Sequence, residues 1–316
     1  MAMGVYSGAD SGAYFWETVM LIENFPRLKP TVMPVIRPVP EYEATGRLKA
    51  VYESTKQGLG VPWMGVVSMA FARYPHFYSA LWSALEPLAT TQLFQTACAE
   101  LRATAESNAV VLQPTSLSDS LKAMGYAPAE RDEVAATIAV FSSGNMPYVL
   151  MATLARLLLE GHAWDTSGEA GPLVSRASDA GVPARPVLME AHHADPETQA
   201  LYARMRTSLG LPFINTDYRA LARWPSYFAL AWDDLEPMLS SAAYVTATQS
   251  VHDKAAALVL SLPNLRGVSA LDLQQAAAQD APLEEVLGVV RLFQWLLPGL
   301  AINVAYLRGQ LRTDER

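Results

Sequence analysis

Asp217 stands in Ile214-Asn215-Thr216-Asp217-Tyr218-Arg219, ahead of a helix that runs into Ala222-Arg223-Trp224-Pro225. A carboxylate in an apolar setting can take a proton from water, and an asparagine amide can hold the carboxylate or the water in place. The candidate amide is Asn145, in Phe141-Ser142-Ser143-Gly144-Asn145-Met146-Pro147. These two residues stand out because the chain repeats itself and answers each of them elsewhere with an apolar side chain.

The stretch from Gly58 lies over the stretch from Ser208 at a constant offset of 150. Leu59, Gly60, Pro62, Ala70, Ala72, Arg73, Pro75, Trp82, Leu85, Glu86 and Pro87 recur as Leu209, Gly210, Pro212, Ala220, Ala222, Arg223, Pro225, Trp232, Leu235, Glu236 and Pro237. Arg-Pro-Val at Arg37 returns at Arg185, and Tyr52 returns as Tyr202. Farther on, Val134, Ile138 and Phe141 match Val286, Val290 and Phe293 at an offset of 152. Their spacings of 4 and 3 put each trio on one helix face.

Residues that pack should persist in both copies, so chemical differences mark specialisation. Val67 is answered by Asp217, Val66 by Thr216, Gly65 by Asn215 and Leu297 by Asn145. Position alone favours a capping role for the first group, with Asn215 or Thr216 as N-cap and Asp217 in the first turn. Asn145 also suits a Gly-Asn-x-Pro turn with a left-handed asparagine. The apolar counterparts argue that both sites are buried, and a buried Asn needs hydrogen-bond partners. If the copies face each other, Asp217 and Asn145 meet between walls of Trp63, Val66, Phe293 and Leu297. That is a small dry pocket with one strong base.

The elements that must position these residues read as helices with almost no strand alternation. Charged amphipathic stretches at 46–57 and 196–208 end near glycine, and helices follow Pro75 and Pro225. A further stretch from Thr91 is rich in helix formers. Residues 129–142 and 147–159 read as a helix pair, with 282–297 and 299–311 as their counterparts. The expected fold class is all-α: two similar helical repeats, 37–160 and 185–316, around a pseudo-two-fold axis with the active site between them. An N-terminal arm, 1–36, has no counterpart and carries Pro30 and Pro34 near an extended end. A Gly-, Ser- and Asp-rich linker, 161–184, joins the repeats.

Composition removes other classes. The chain has 316 residues, 51% hydrophobic and 17% charged, enough to bury a core without metals or disulfides. Its net charge is −8, with no basic block for nucleic acid. Cys98 is the only cysteine, which rules out a disulfide framework or CxxC centre and fits a reducing cytoplasm. The uncharged run from Val134 to Ala155 is long enough to span a bilayer, but Gly144, Asn145 and Pro147 interrupt it; it reads as buried helices. No secretory signal is visible at the N-terminus. The histidines are scattered, and HExxH, GxSxG, GxGxxG, DxD and P-loop patterns are absent.

The segments GVPWMGV, ARYPHFYSALW, FSSGNMPYVL, NTDYRALARWP and GVVRLFQWLLPGLAI resemble the group I 2-haloacid dehalogenases, over about residues 37–310. That resemblance implies an all-α enzyme, commonly a homodimer, that hydrolyses 2-haloacids to 2-hydroxyacids without a cofactor or metal. It implies that Asp217 activates water for direct attack with inversion and no ester intermediate, and that Asn145 helps hold the water. Trp63, Val66, Thr216, Phe293, Leu296, Leu297 and Leu300 fall on pocket positions. Val66, Phe293 and Leu296 depart from the aromatic, tyrosine and phenylalanine of the family pattern, which bears on the preferred substrate side chain. Asn215, beside the base, narrows the space near the α-carbon and favours one enantiomer, expected to be D. The alternatives are a hydrolase for a fluorinated or longer acid, and a non-catalytic helical binding protein of the peroxidase-partner type. The redox chemistry of that last type needs a CxxC pair that this chain lacks.

Overall fold

The computed structural model describes residues 25–174 and 185–312. The first 24 residues of the expected arm, residues 175–184 of the expected linker and the last four residues lie outside them. Among the described residues the protein is helical, with no strand and one isolated bridge, Thr91 to Leu173.

Six helices occupy the first half: α1 (Gly46–Leu59), α2 (Val66–Phe71), α3 (Pro75–Ala89), α4 (Gln92–Val111), α5 (Ser118–Ala123) and α6 (Pro128–Leu159). Six follow in the second: α7 (Pro196–Leu209), α8 (Thr216–Leu221), α9 (Pro225–Leu235), α10 (Ala242–Ser261), α11 (Ala270–Ala278) and α12 (Leu283–Gln310). Helices α1 and α7 each have 14 residues, α2 and α8 six, and α4 and α10 twenty.

Local chemistry sets these boundaries. Helices α1 and α7 stop at Gly60 and Gly210, whose φ of 68° and 64° is the left-handed conformation that only glycine adopts freely. Asp195 caps α7 by accepting from the Glu197 and Thr198 amides. Thr91 and Ser241 cap α4 and α10 in the same way. Pro75 and Pro225 open α3 and α9 at the first helical position, where a missing N–H costs nothing.

Two expectations need correction. The pair read at 129–142 and 147–159 is the single 32-residue helix α6, and the pair at 282–297 and 299–311 is the single 28-residue helix α12. No turn forms at Gly144-Asn145-Met146-Pro147, and Asn145 is not left-handed; Gln113 is the one described non-glycine residue with positive φ. The reason is burial. Every residue from Gly144 to Leu159 is buried, and a break there would strand backbone amides in an apolar interior. Pro147 and Pro298 each remove one helical hydrogen bond, a smaller loss than a buried turn.

Helices α6 and α12 pack along each other through the centre. Both are long and apolar enough to cross a membrane, yet 67% and 78% of their apolar windows are buried in the protein itself. The short helices cross over: α8 packs on α6 of the first half, and α2 on α12 of the second. The first turns of α2 and α8 therefore approach the middle of the two long helices, where Asn145 and Leu297 lie.

Candidate active site

Helix α6 carries Gly144 and Asn145 at its centre. A Cβ at Gly144 would collide with the Trp63 indole, so the glycine lets Trp63 lie directly on the helix backbone. Trp63 also packs edge-on against Phe141, with ring centroids 4.9 Å apart. Tyr148, one turn after Asn145, donates its hydroxyl to the Trp63 carbonyl at 3.0 Å and accepts the Gly65 amide at 2.9 Å. One phenol thus pins the loop that leads into α2.

The other side is the first turn of α8. Asn215 is its N-cap residue, but its side chain makes no capping hydrogen bond, and its Oδ1 is buried without a partner. Gly65 at the head of α2 has no side chain to cap with, so both short helices begin without a side-chain cap. Asn145 Nδ2 donates to Asp217 Oδ1 at 2.6 Å, between two buried side chains. The second carboxylate oxygen of Asp217 has no side-chain partner among the described residues.

Burial raises the pKa of Asp217 to about 6; the Asn145 hydrogen bond and the Arg219 charge oppose that rise. Arg219 is held by Glu190 through two hydrogen bonds, at 2.7 and 2.8 Å, and reaches the Thr216 hydroxyl at 3.5 Å. At neutral pH Asp217 is an anion poised to take a proton.

The space beside Asp217 is a cavity of about 30 Å³. That exceeds the ~10–15 Å³ a single water needs. Trp63, Val66, Asn145, Asn215, Thr216, Asp217, Phe293, Leu296, Leu297 and Leu300 all line it. Gly65, Val67, Tyr148 and Phe213 line it as well and were not foreseen. Phe213 was accessible to the self-comparison, because it answers Trp63 at the offset of 150. Tyr148 was accessible too, since Leu300 answers it at the offset of 152. A cavity of about 1180 Å³ adjoins it and shares Trp63, Val66, Phe213 and Thr216, while one of about 440 Å³ near Glu106 and Arg308 lies apart, so chemistry rather than size singles out the site. Among the described residues, no three His, Cys, Asp or Glu side chains converge as metal ligands.

A family model described as "Halocarboxylic acid dehydrogenase DehI" matches residues 62–211. The chain is 45% identical over 242 residues to an "(R)-2-haloacid dehalogenase" of Rhizobium sp. (strain NHG3), covering 76% of this chain and 93% of that one. It is 34% identical over 287 residues to an "(R)-2-haloacid dehalogenase" of Pseudomonas putida, covering 89% and 95%. A solved structure described as "The complex structure of D-2-haloacid dehalogenase with L-LA" matches at a TM-score of 0.82 and 33% identity, over 90% of this chain and 99% of that one. Identity at this level along nearly the whole of both chains is kinship: the protein belongs to the 2-haloacid dehalogenase family.

Proposed function

We propose that this protein hydrolyses short (R)-2-haloalkanoates to (S)-2-hydroxyalkanoates by direct attack of a water that Asp217 deprotonates. The observation that carries this reading is the buried Asn145–Asp217 contact of 2.6 Å at the edge of a water-sized apolar cavity. Water gives its proton to the free oxygen of the Asp217 carboxylate. Its oxygen forms a bond to the α-carbon while the carbon–halogen bond breaks on the opposite face, and the halide leaves with the bonding pair. Configuration inverts, and the products are a hydroxyacid, a halide and a proton.

Asn145 fixes the carboxylate and orients its free oxygen at the water. Trp63, Val66, Phe293, Leu296, Leu297 and Leu300 exclude bulk solvent, which strengthens every charge interaction inside. The first-turn amides of α2 and α8, which lack side-chain caps, are donors for the substrate carboxylate, and Thr216 adds a hydroxyl. These donors offset the repulsion between an anionic substrate and an anionic base. The (R) and D designations of the relatives support the same handedness here, with Asn215 as the residue that narrows the site.

Two helical repeats, 37–160 and 185–316, face each other about a pseudo-two-fold axis, each supplying half of the pocket. The matched helix lengths and the crossed packing of α2 and α8 support this. The protein works as a cytoplasmic homodimer without a cofactor. Halide release from purified protein with (R)- and (S)-2-chloropropionate tests the reading. Chloride should appear from the (R) substrate in catalytic amounts; release from neither enantiomer overturns it.

A further inference from the structure

Behind Asn215 lies a second cavity, of about 250 Å³, that shares Asn215, Leu296 and Leu300 with the reaction cavity. Its wall carries two cations from the segment before α1, Arg27 and Lys29. Both sit over the Trp295 ring, at 5.4 and 5.2 Å from its centroid, and neither has a carboxylate within 4 Å among the described residues. By contrast, Arg156 and Arg291 share Glu160, and Arg219 holds Glu190. What sets Arg27 and Lys29 apart is that both lie on the wall of one cavity that adjoins the reaction cavity.

The segment that carries them is anchored rather than draped. Phe25 is fully buried, stacks on His252 at 5.4 Å and lies under Arg156 at 4.0 Å. Gln294 Nε2 donates to His252 Nδ1 at 2.6 Å, so His252 Nε2 carries the proton and donates to the Phe25 carbonyl at 2.7 Å. Arg27 Nε donates to the Trp295 carbonyl at 2.9 Å. That single bond leaves the rest of its guanidinium without a hydrogen-bond partner among the described residues.

The same cavity is lined by Tyr218, Tyr244 and Asn303. Tyr244 donates its hydroxyl to Asn303 Oδ1 at 2.9 Å, and Asn303 Nδ2 donates to the Tyr218 oxygen at 2.8 Å. The Tyr218 proton is then left with no acceptor among the described residues, although the side chain is 1% exposed. Gly299 keeps the bay open: a Cβ there would fall 3.1 Å from Tyr244 Oη and 3.4 Å from Arg27 Nη2. Two cations without carboxylate partners and an unspent buried O–H, all on residues that line one cavity, match an anion with oxygen or halide acceptors.

We propose that this cavity is a small-monovalent-anion site adjoining the reaction cavity, with Arg27, Lys29 and Tyr218 as its ligands. Two anions fit its chemistry, the carboxylate of an arriving 2-haloacid and the halide that leaves. Which of them uses it rests on the dehalogenase reading above; the site itself does not. Burial lowers the Arg27 pKa, so an anion beside it relieves a desolvated charge.

Trp295 supplies a readout independent of turnover. Iodide titration at constant ionic strength should show a saturable component of tryptophan quenching in the wild type, absent in Trp295→Phe. Lys29→Gln, at a side chain with no hydrogen bond among the described residues, and Arg27→Gln should each weaken that component by about tenfold, and Tyr218→Phe should weaken it with no change in charge. Propionate that reverses the saturable quenching identifies a site open to carboxylates. In that case kcat/KM for (R)-2-chloropropionate should fall about tenfold or more in the Arg27→Gln/Lys29→Gln protein. Saturable quenching that propionate leaves untouched identifies a halide site. Saturable quenching in a protein that dehalogenates nothing leaves the anion site standing and removes the dehalogenase reading. Quenching that is linear in iodide, and equal in wild type and variants, overturns the proposal.

Discussion

Gly65 lies flat against the ring of Tyr148, and a Cβ added there would sit 2.8 Å from the ring's Cζ. The Gly65 amide donates to the same phenol. In the aligned second half, Asn215 replaces the glycine and Leu300 replaces the tyrosine. A large residue on the long helix requires a small one at the turn, and a smaller residue on the long helix leaves room for an amide. The two sides of the cavity differ by this exchange of volume, and the exchange sets Asn215 beside Asp217.

Gly65→Ala should therefore destabilise the protein by about 1–3 kcal/mol, the usual consequence of forcing a methyl into a packed interior. Urea unfolding measures this directly. Stability equal to wild type would mean that Tyr148 moves aside freely and does not pin the loop.

Asn215→Ala should change the ratio of kcat/KM for the (R) and (S) substrates. Exclusion of one methyl-sized group is worth about 1–3 kcal/mol, or roughly ten- to two-hundred-fold, so relaxation within that range is expected. The side chain is buried and caps nothing, so its loss should leave α8 in place. An unchanged ratio would mean that Asn215 does not set the handedness.

Asn145→Ala should move the acidic limb of the kcat/KM profile upward. Burial holds the Asp217 pKa at about 6, and the Asn145 hydrogen bond keeps it from rising further. Removal of that bond disfavours the carboxylate, so activity should begin at a higher pH and its plateau should fall. A limb that stays near pH 6 would detach Asn145 from the base.

Asp217→Asn should reduce turnover by at least about a hundredfold, the scale of general-base catalysis. Its stability should change with the opposite sign. The folded-state pKa of about 6 lies above the unfolded value, so folding binds this proton more tightly. That contribution is fully present below about pH 4 and is lost as pH rises through 6. Asparagine has no proton to lose. The variant should match wild type near pH 4 and be more stable by roughly 2–3 kcal/mol at pH 8. A variant less stable than wild type at pH 8 would mean that Asp217 is a structural carboxylate.

Much of this is legible in the residues that recur along the chain at the offset of 150. Residues identical at the offset of 150, such as Gly60 and Gly210 or Pro75 and Pro225, mark helix ends and starts. Positions that differ, such as Val67 and Asp217 or Leu297 and Asn145, line the cavity. What failed was local punctuation. Gly144 and Pro147 read as a turn because each disfavours a helix on its own, yet Gly144 is there to admit Trp63. Burial of the surrounding helix overrides the propensity. The segment around Phe25 carried no signal at all, since its anchor His252 lies 227 residues away and no repeat pairs the two.

The most direct test of the central claim is a single turnover with enzyme in excess over (R)-2-chloropropionate in ¹⁸O-water, with mass analysis of both product and protein. Direct attack by the Asp217-bound water predicts ¹⁸O in the hydroxyacid from the first turnover and none in Asp217. Unlabelled hydroxyacid together with ¹⁸O in the Asp217 carboxylate would mean that an ester forms on the enzyme, and would contradict the general-base account.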